Sequence, residues 1–133
     1  MQQSRLRGLE TILVWYTAIT VAIYLPLETY ASLPYGLMNP YYLVDLVAIL
    51  LMIWGAWRSW RARPGSAVAV LIAGYAWASA NGWRATFDRV ERMQAGGELD
   101  FGNIELLVVG GSTLLAIVVL ILLLVIATAR QEA

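Results

Sequence analysis

The 133-residue sequence contains no cysteine, no histidine and no lysine. Without cysteine, disulfide exchange, thiol nucleophiles and cysteine-ligated metals are excluded. Without histidine, the usual zinc sites and histidine-bound haem have no ligands, and without lysine no retinal or pyridoxal Schiff base can form. Chemistry is left to carboxylates, arginine, tyrosine, serine, threonine and asparagine, and we expect neither a metal nor a cofactor.

Charge is also scarce, since only 14% of the residues are charged while 60% are hydrophobic. A typical soluble domain has about a quarter of its residues charged. Nine arginines balance nine acids, and no basic tract indicates binding to nucleic acid. The sequence predicts other partners: membrane lipid, a lipophilic small molecule, a second copy of the chain or another membrane chain.

Four long apolar runs account for the missing charge. They predict one all-α domain over residues 1–133, an integral membrane bundle of four transmembrane helices. A cleavable leader is the alternative interpretation of the first run, because a basic start and an apolar core precede Thr29. Three further runs favour a membrane span instead. The expected spans cover about residues 9–28, 41–57, 66–83 and 104–129, with the third helix continuing to about residue 94.

Local signals predict where these helices bend and end. Pro26 lacks an amide hydrogen and is expected to kink the last turn of the first span. Gly96 and Gly97 are expected to end the third helix, and Asn103 is expected to cap the fourth. The connection over residues 29–40 contains two prolines and two tyrosines, and we expect it to lie at the membrane interface.

Arginine placement predicts the orientation of the bundle. Two arginines precede the first span, three lie between the second and third spans, and one follows the fourth. The first connection has none, and the three in the last connection are offset by four acids. By the positive-inside rule both termini are expected in the cytoplasm, and we expect the protein in a bacterial inner membrane.

Small residues predict where helices approach closely. Gly74, Ala78 and Gly82 recur every four residues and therefore stack on one face of the third helix. Residues 110–112 form a second small patch in the fourth span. We expect the first face to pack either within the bundle or against a second copy of the chain.

Two stripes of polar residues lead towards one end of the bundle. They run along the first and third helices, where steps of three and four residues keep side chains on one face. Because successive spans run in opposite directions, both stripes are expected to reach the outward end, whereas the cytoplasmic half shows no comparable polar set. The expected cluster comprises Glu28, Asp45, Asn81, Arg84, Asp88 and Glu105, above walls of Thr17, Thr20, Tyr24, Tyr41, Tyr42 and Trp77.

Acids within a membrane span indicate a partner or a function, because a charge near mid-bilayer costs roughly 2.5–3.5 kcal/mol. Arg84 is the expected partner of Asp45 or Glu28. In the structural interpretation these acids only form ion pairs, Glu105 favours a helix start, and Arg84 pairs with Asp88 on the helix surface. In the functional interpretation they form the rim of an outward pocket with an apolar, aromatic floor.

Three functions remain open. The leading expectation is a non-catalytic membrane protein that binds a lipophilic or amphiphilic ligand or serves as an accessory subunit. The second is a membrane enzyme of isomerase or hydratase type, with Asp45, Glu28 and Arg84 as catalytic candidates. The third is a small carrier or proton-coupled transporter, and no spacing among these residues is a motif that selects one of the three. The expected ligand contacts are Tyr24, Glu28, Tyr41, Asp45, Trp77, Asn81, Arg84 and Asp88.

Overall fold

A computed structural model describes residues 2–63 and 65–132, and within these ranges the chain forms helices and no strand. The all-α architecture with four helices is confirmed. A short 3-10 turn, Leu33–Tyr35, follows the first helix. The helices are α1 (Gln2–Ser32), α2 (Pro40–Arg61), α3 (Val68–Gln94) and α4 (Asn103–Gln131).

Two prolines and an asparagine cap bear on the limits of the first two helices. Pro26 lies inside α1 without ending it, and the helix continues unbroken to Ser32. At the start of α2, Asn39 is the N-cap, and its side-chain oxygen accepts a hydrogen bond from the Tyr41 N–H at 2.9 Å. Pro40 occupies the first helical position, where its missing N–H costs nothing.

The connection between α3 and α4 differs from the expectation in one detail. Gly96 has φ +81°, a conformation that suits the predicted glycine stop after α3. Asn103 was expected as the N-cap of α4 but is its first residue, and Gly102 is the cap. Within the described part of the chain no side chain caps this helix start, and the Glu105 Oε2 instead accepts a hydrogen bond from the Phe101 N–H, just before the cap, at 3.2 Å.

Neighbouring helices in the bundle are antiparallel. Trp15 of α1 lies beside Trp60 of α2 with ring centroids 5.4 Å apart, and Thr29, later in α1, contacts Tyr42, earlier in α2. The other neighbouring pairs show the same reversed order. α3 lies between α2 and α4, and α4 returns to α1, where the interface is the least extensive of the four. The helices thus form an up-down-up-down bundle.

The predicted small-residue face of α3 packs inside the chain. A Cβ atom at Gly74 would lie 3.2 Å from the Leu51 Cβ of α2. A Cβ atom at Gly82 would collide with Thr113 of α4. One face of α3 therefore serves contacts with two different helices, and it is not available to a second copy. In the patch on α4, Gly111 faces open space.

Among the described residues, three helical segments are long and apolar enough to cross a membrane: Gln2–Tyr35, Pro40–Arg61 and Asn103–Gln131. α3 has 27 residues but is less apolar, because serine, asparagine and several charged residues interrupt it. Large apolar side chains cover the outside of the bundle, including Leu107 at 73% exposure. Exposed apolar surface on this scale is typical of an interaction surface for protein or membrane.

We expect Gly82→Ala to destabilise the bundle by about 1–3 kcal/mol, because the added methyl group overpacks the contact with Thr113. Gly111→Ala is the matched control, since its methyl group meets nothing and alanine is the better helix former. Thermal unfolding in detergent micelles measures both. Equal losses in the two variants would contradict the close α3–α4 contact.

Candidate functional site

Polar side chains from all four helices meet at the end of the bundle where α1 and α3 end and α2 and α4 begin. The carboxyl groups of Glu28 and Asp45 are within hydrogen-bonding reach of each other, so one proton can bridge them. Both side chains are half-buried between helices. We call the whole set the acid cluster, and it consists of Tyr24, Glu28, Asp45, Arg89, Glu105 and Ser112.

Arg89 of α3 supplies the positive charge of the acid cluster. Its Nε lies 2.6 Å from the Glu105 Oε1 of α4, and its Nη1 donates to the Ala85 carbonyl at 2.9 Å. The same guanidinium is near enough to act electrostatically on both Glu28 and Asp45. Arg89 therefore pairs with Glu105, and its charge acts on the other two carboxyl groups from beyond ion-pair distance.

Tyr24 connects the acid cluster to α4. Its hydroxyl lies within hydrogen-bonding reach of Ser112. The Ser112 hydroxyl donates its own hydrogen to the Val109 carbonyl at 3.0 Å, so its oxygen can accept one from Tyr24. Tyr24 and Ser112 therefore lie beside each other across the α1–α4 interface, the least extensive of the bundle.

The same bonding pattern occurs twice more along α1. Thr17 donates to the Leu13 carbonyl at 2.7 Å and lies 2.6 Å from the Tyr75 hydroxyl of α3, deep in the bundle. Thr29 donates to the carbonyl four residues back and lies 3.0 Å from the Tyr42 hydroxyl of α2. Hydroxyl bonds thus join α1 to α3 and to α2.

Three of the eight expected ligand contacts belong to the acid cluster, namely Tyr24, Glu28 and Asp45, and so does Glu105 of the expected cluster. The stripe on α3 does not converge on it. Trp77 is 44% exposed and its Nε1–H donates to the Val44 carbonyl at 3.0 Å. Asn81 is partly buried on α3, whereas the remaining predicted residues, Tyr41, Arg84 and Asp88, are exposed.

The expected pairing of Arg84 with Asp45 or Glu28 is wrong, because Arg89 is the cation beside both acids. At about 100° per residue, Arg84 is turned roughly 200° from Gly82, whereas Arg89 returns to within about 20° of it. Gly82 faces α4. The residue seven positions later, two helical turns on, faces the same way, and that residue is Arg89. That spacing identifies Arg89 once Gly82 is known to face α4, whereas the sequence alone leaves the inward face of α3 open.

The expectation that the opposite half lacks a polar set is also wrong. Glu10 of α1 is only 3% exposed; its Oε2 pairs with the Arg130 Nη2 of α4, and its Oε1 accepts the Gly65 N–H at 3.0 Å. Glu10 lies seven residues before Thr17, which lies seven before Tyr24. The polar stripe of α1 therefore begins one heptad earlier than predicted.

An apolar layer separates this buried pair from the polar groups above it. Val14 is 1% exposed, and Leu71, Leu123 and Ile126 are completely buried in the same core. Buried apolar side chains therefore lie between Glu10 and the Thr17–Tyr75 pair.

Two cavities lie away from the carboxyl pair. One of about 300 Å³ is lined by the loop between α3 and α4, including Met93 and Leu99. The other, of about 930 Å³, is lined by the first turns of α1 and by Arg130. Neither is lined by Glu28 or Asp45, so the expected outward pocket is not one of these two cavities.

Comparison of the chain with protein-family models, with curated proteins and with solved structures gave no match. Within residues 2–63 and 65–132, no group of three or more acidic side chains is placed to hold a metal ion. The chemistry of the acid cluster must therefore be argued from its own geometry.

We expect Arg89→Gln to lower the free energy of unfolding by about 2 kcal/mol, because Glu105 loses its partner in a partly buried site. The control is Arg84→Gln on the exposed side of the same helix, for which we expect no measurable change. Thermal unfolding in detergent distinguishes the two. A greater loss in the Arg84 variant would show that the wrong arginine had been placed in the cluster.

Proposed function

We propose that the protein is an integral membrane protein of the bacterial inner membrane whose four helices all span the bilayer, with both termini in the cytoplasm. It binds an amphiphilic molecule whose head group occupies the acid cluster at the outward end. The head group of this molecule is basic or rich in hydrogen-bond donors. Membrane insertion, orientation and ligand are supported by separate observations.

The distribution of charge along the bundle supports the orientation. One end, which we call the arginine end, comprises the start of α1, the end of α2, the start of α3 and the end of α4. Six of the nine arginines and only two of the nine acids lie there. By the positive-inside rule this end faces the cytoplasm. The six arginines are Arg5, Arg7, Arg58, Arg61, Arg63 and Arg130, and the two acids are Glu10 and Glu132.

The single observation that carries the binding proposal is the excess of acid in the cluster. The acid cluster contains three carboxyl groups, those of Glu28, Asp45 and Glu105, but one guanidinium. This guanidinium, of Arg89, pairs with Glu105 and acts electrostatically on the other two. A purely structural ion pair needs one acid for one arginine, as Glu10 and its partner show at the other end. The surplus carboxyl groups provide acceptors for a basic or hydrogen-bonding head group.

Apolar side chains beside the acid cluster support an amphiphilic rather than a purely polar ligand. The segment between α1 and α2 exposes several large apolar residues close to the start of α2. The exposed residues are Leu33 (57%), Tyr35 (71%), Leu37 (46%), Met38 (82%) and Tyr41 (71%).

A second candidate function, acid–base catalysis on a hydrophobic substrate, is favoured by the hydrogen bond between Glu28 and Asp45. Two carboxyl groups that share one proton can donate and accept it in turn. Tyr24 adds a hydroxyl that can steady a developing charge. The same ligand experiment separates catalysis from binding, as described below.

Reporter fusions test the proposed orientation. A fluorescent protein that matures only in the cytoplasm should be bright when fused to the C-terminus or inserted in the α2–α3 turn. A phosphatase that is active only in the periplasm should be active when inserted in the α3–α4 loop. The opposite pattern would reverse the proposed orientation. Activity of the same reporter at both the α2–α3 turn and the α3–α4 loop would show that α3 does not span the membrane.

We expect Asp45→Asn to lose a small molecule that co-purifies with the wild type in mild detergent, because it removes one of the surplus carboxylates. Native mass spectrometry measures the retained species. The matched control is Asp88→Asn, an exposed acid at the same end of the bundle, which should retain the molecule. Thermal unfolding of the same samples shows whether each variant remains folded.

The outcomes of this experiment are distinct. Loss from the Asp45 variant alone, with unchanged stability, supports binding at the acid cluster. Retention by both variants contradicts it. If the wild type converts an added lipophilic molecule that the folded Asp45 variant retains unchanged, the second candidate, catalysis, replaces simple binding.

A further inference from the structure

A groove at the arginine end is separate from the acid cluster. It has a volume of about 930 Å³ and is lined by the first three turns of α1, including Gln3, Arg7 and Thr11, together with Arg130 of α4. A volume of this size accommodates a phosphorylated head group. None of its lining residues belongs to the acid cluster.

The groove has positive charge that no acid in the described chain neutralises. The two ion pairs found within residues 2–63 and 65–132 are Arg89 with Glu105 and Arg130 with Glu10. Arg7, which lines the groove, takes part in neither. The arginine end as a whole also carries far more arginine than acid, as described above, so the groove lies in a positive field.

Arg130 of α4 also lines the groove, although its charge is paired within the chain. Its Nη2 is paired with Glu10, and its Nη1 is buried beside Gly65 without a hydrogen-bond partner in the described part of the chain. The side chain is 27% exposed, so an anion in the groove would contact the exposed part of the guanidinium and not the buried Nη1.

Aromatic side chains place the groove at the depth of lipid head groups. The tilted rings of Trp15 and Trp60 are in contact, one turn or more from the groove towards the middle of the bundle. Nearby, the Arg61 guanidinium lies 5.4 Å from the centre of the Trp57 ring. Tryptophan concentrates at the membrane–water interface. At about 1.5 Å per residue, Arg7 lies about 12 Å along α1 from Trp15, on the water side of that interface.

We propose that this groove binds the phosphate of an anionic phospholipid from the cytoplasmic leaflet, with Arg7 and Arg130 as its cationic contacts. The proposal rests on the membrane insertion proposed above but not on the ligand of the acid cluster. A lipid phosphate is the anion present in quantity at this depth, and the cytoplasmic leaflet carries the negative lipids. The lipid would hold the arginine end at the membrane surface.

Arg5 and Arg7 provide a matched pair for the test. Both are exposed arginines near the start of α1, but only Arg7 lines the groove. The wild type, Arg5→Gln and Arg7→Gln are incorporated into nanodiscs that contain both phosphatidylglycerol and phosphatidylcholine. Native mass spectrometry of the released protein measures the ratio of the two lipids retained. Arg130 is left intact, because its removal would leave Glu10 buried without a partner.

We expect the wild type and Arg5→Gln to retain phosphatidylglycerol in preference to phosphatidylcholine. Arg7→Gln should reduce that preference about fivefold, the factor expected for one basic side chain near an anionic lipid. Equal preference in all three proteins, or equal losses in both variants, would overturn the proposal in favour of diffuse attraction. Failure of all three proteins to enter nanodiscs would overturn the membrane insertion and this proposal together.

A second arm distinguishes a lipid phosphate from a free one. Inorganic phosphate is added to each detergent-solubilised protein without lipid, and binding is measured by the shift in thermal unfolding. No shift is expected in any of the three proteins. A stabilising shift in the wild type that Arg7→Gln abolishes would show that the groove takes free phosphate and would overturn the lipid assignment.

Discussion

Polar groups withdrawn from water must find partners, and in this bundle α1 is the helix along which they find them. Thr17 and Thr29 form hydroxyl bonds to α3 and α2, and Glu10 pairs with Arg130 of α4. Glu10 lies one heptad before Thr17, and Glu28 lies between Tyr24 and Thr29. An unpaired hydroxyl or carboxyl group in an apolar interior costs several kcal/mol, roughly 2–7 by transfer estimates, so these bonds strongly restrict how α1 can pack. The positions of α2, α3 and α4 around α1 follow from that restriction.

The two ends of the stripe satisfy this requirement in different ways. Glu10 is paired with one arginine and accepts one backbone N–H, so its charge and its oxygen atoms both have partners. The acid cluster has three carboxyl groups and one cation, Arg89, which pairs with Glu105 and acts on Glu28 and Asp45 only through its charge. The first arrangement is complete within the chain and ties α1 to α4 and to the α2–α3 turn. The second leaves acceptor capacity for another molecule, which is why the proposed binding site lies there and not at Glu10.

Much of the acid cluster could be predicted because helical periodicity is a local property. Steps of three, four and seven residues placed Tyr24 and Glu28 on one face of α1, and Asp45 follows the start of α2 closely enough to meet them. Arg89 could not be selected in the same way, since the polar stripe through Arg84 and the small-residue face through Gly82 compete for the interior of the bundle. Contact between Gly82 and Thr113 decides that competition, and it depends on a helix far away in the chain. The helix that carries the most obvious polar stripe therefore presents its other face inward.

The sequence by itself determined the number of helices, their approximate limits, the absence of thiol, imidazole and amine chemistry, and the separation of arginine from acid between the two ends. These properties depend on composition and on neighbours within a few residues. Only the tertiary structure decided which arginine joins the carboxyl groups, that Glu10 is buried against Arg130, and that α1 bonds to all three other helices. The physical reason is rotation: periodicity identifies the faces of a helix, but close packing between distant segments sets which face turns inward and which residue it meets there.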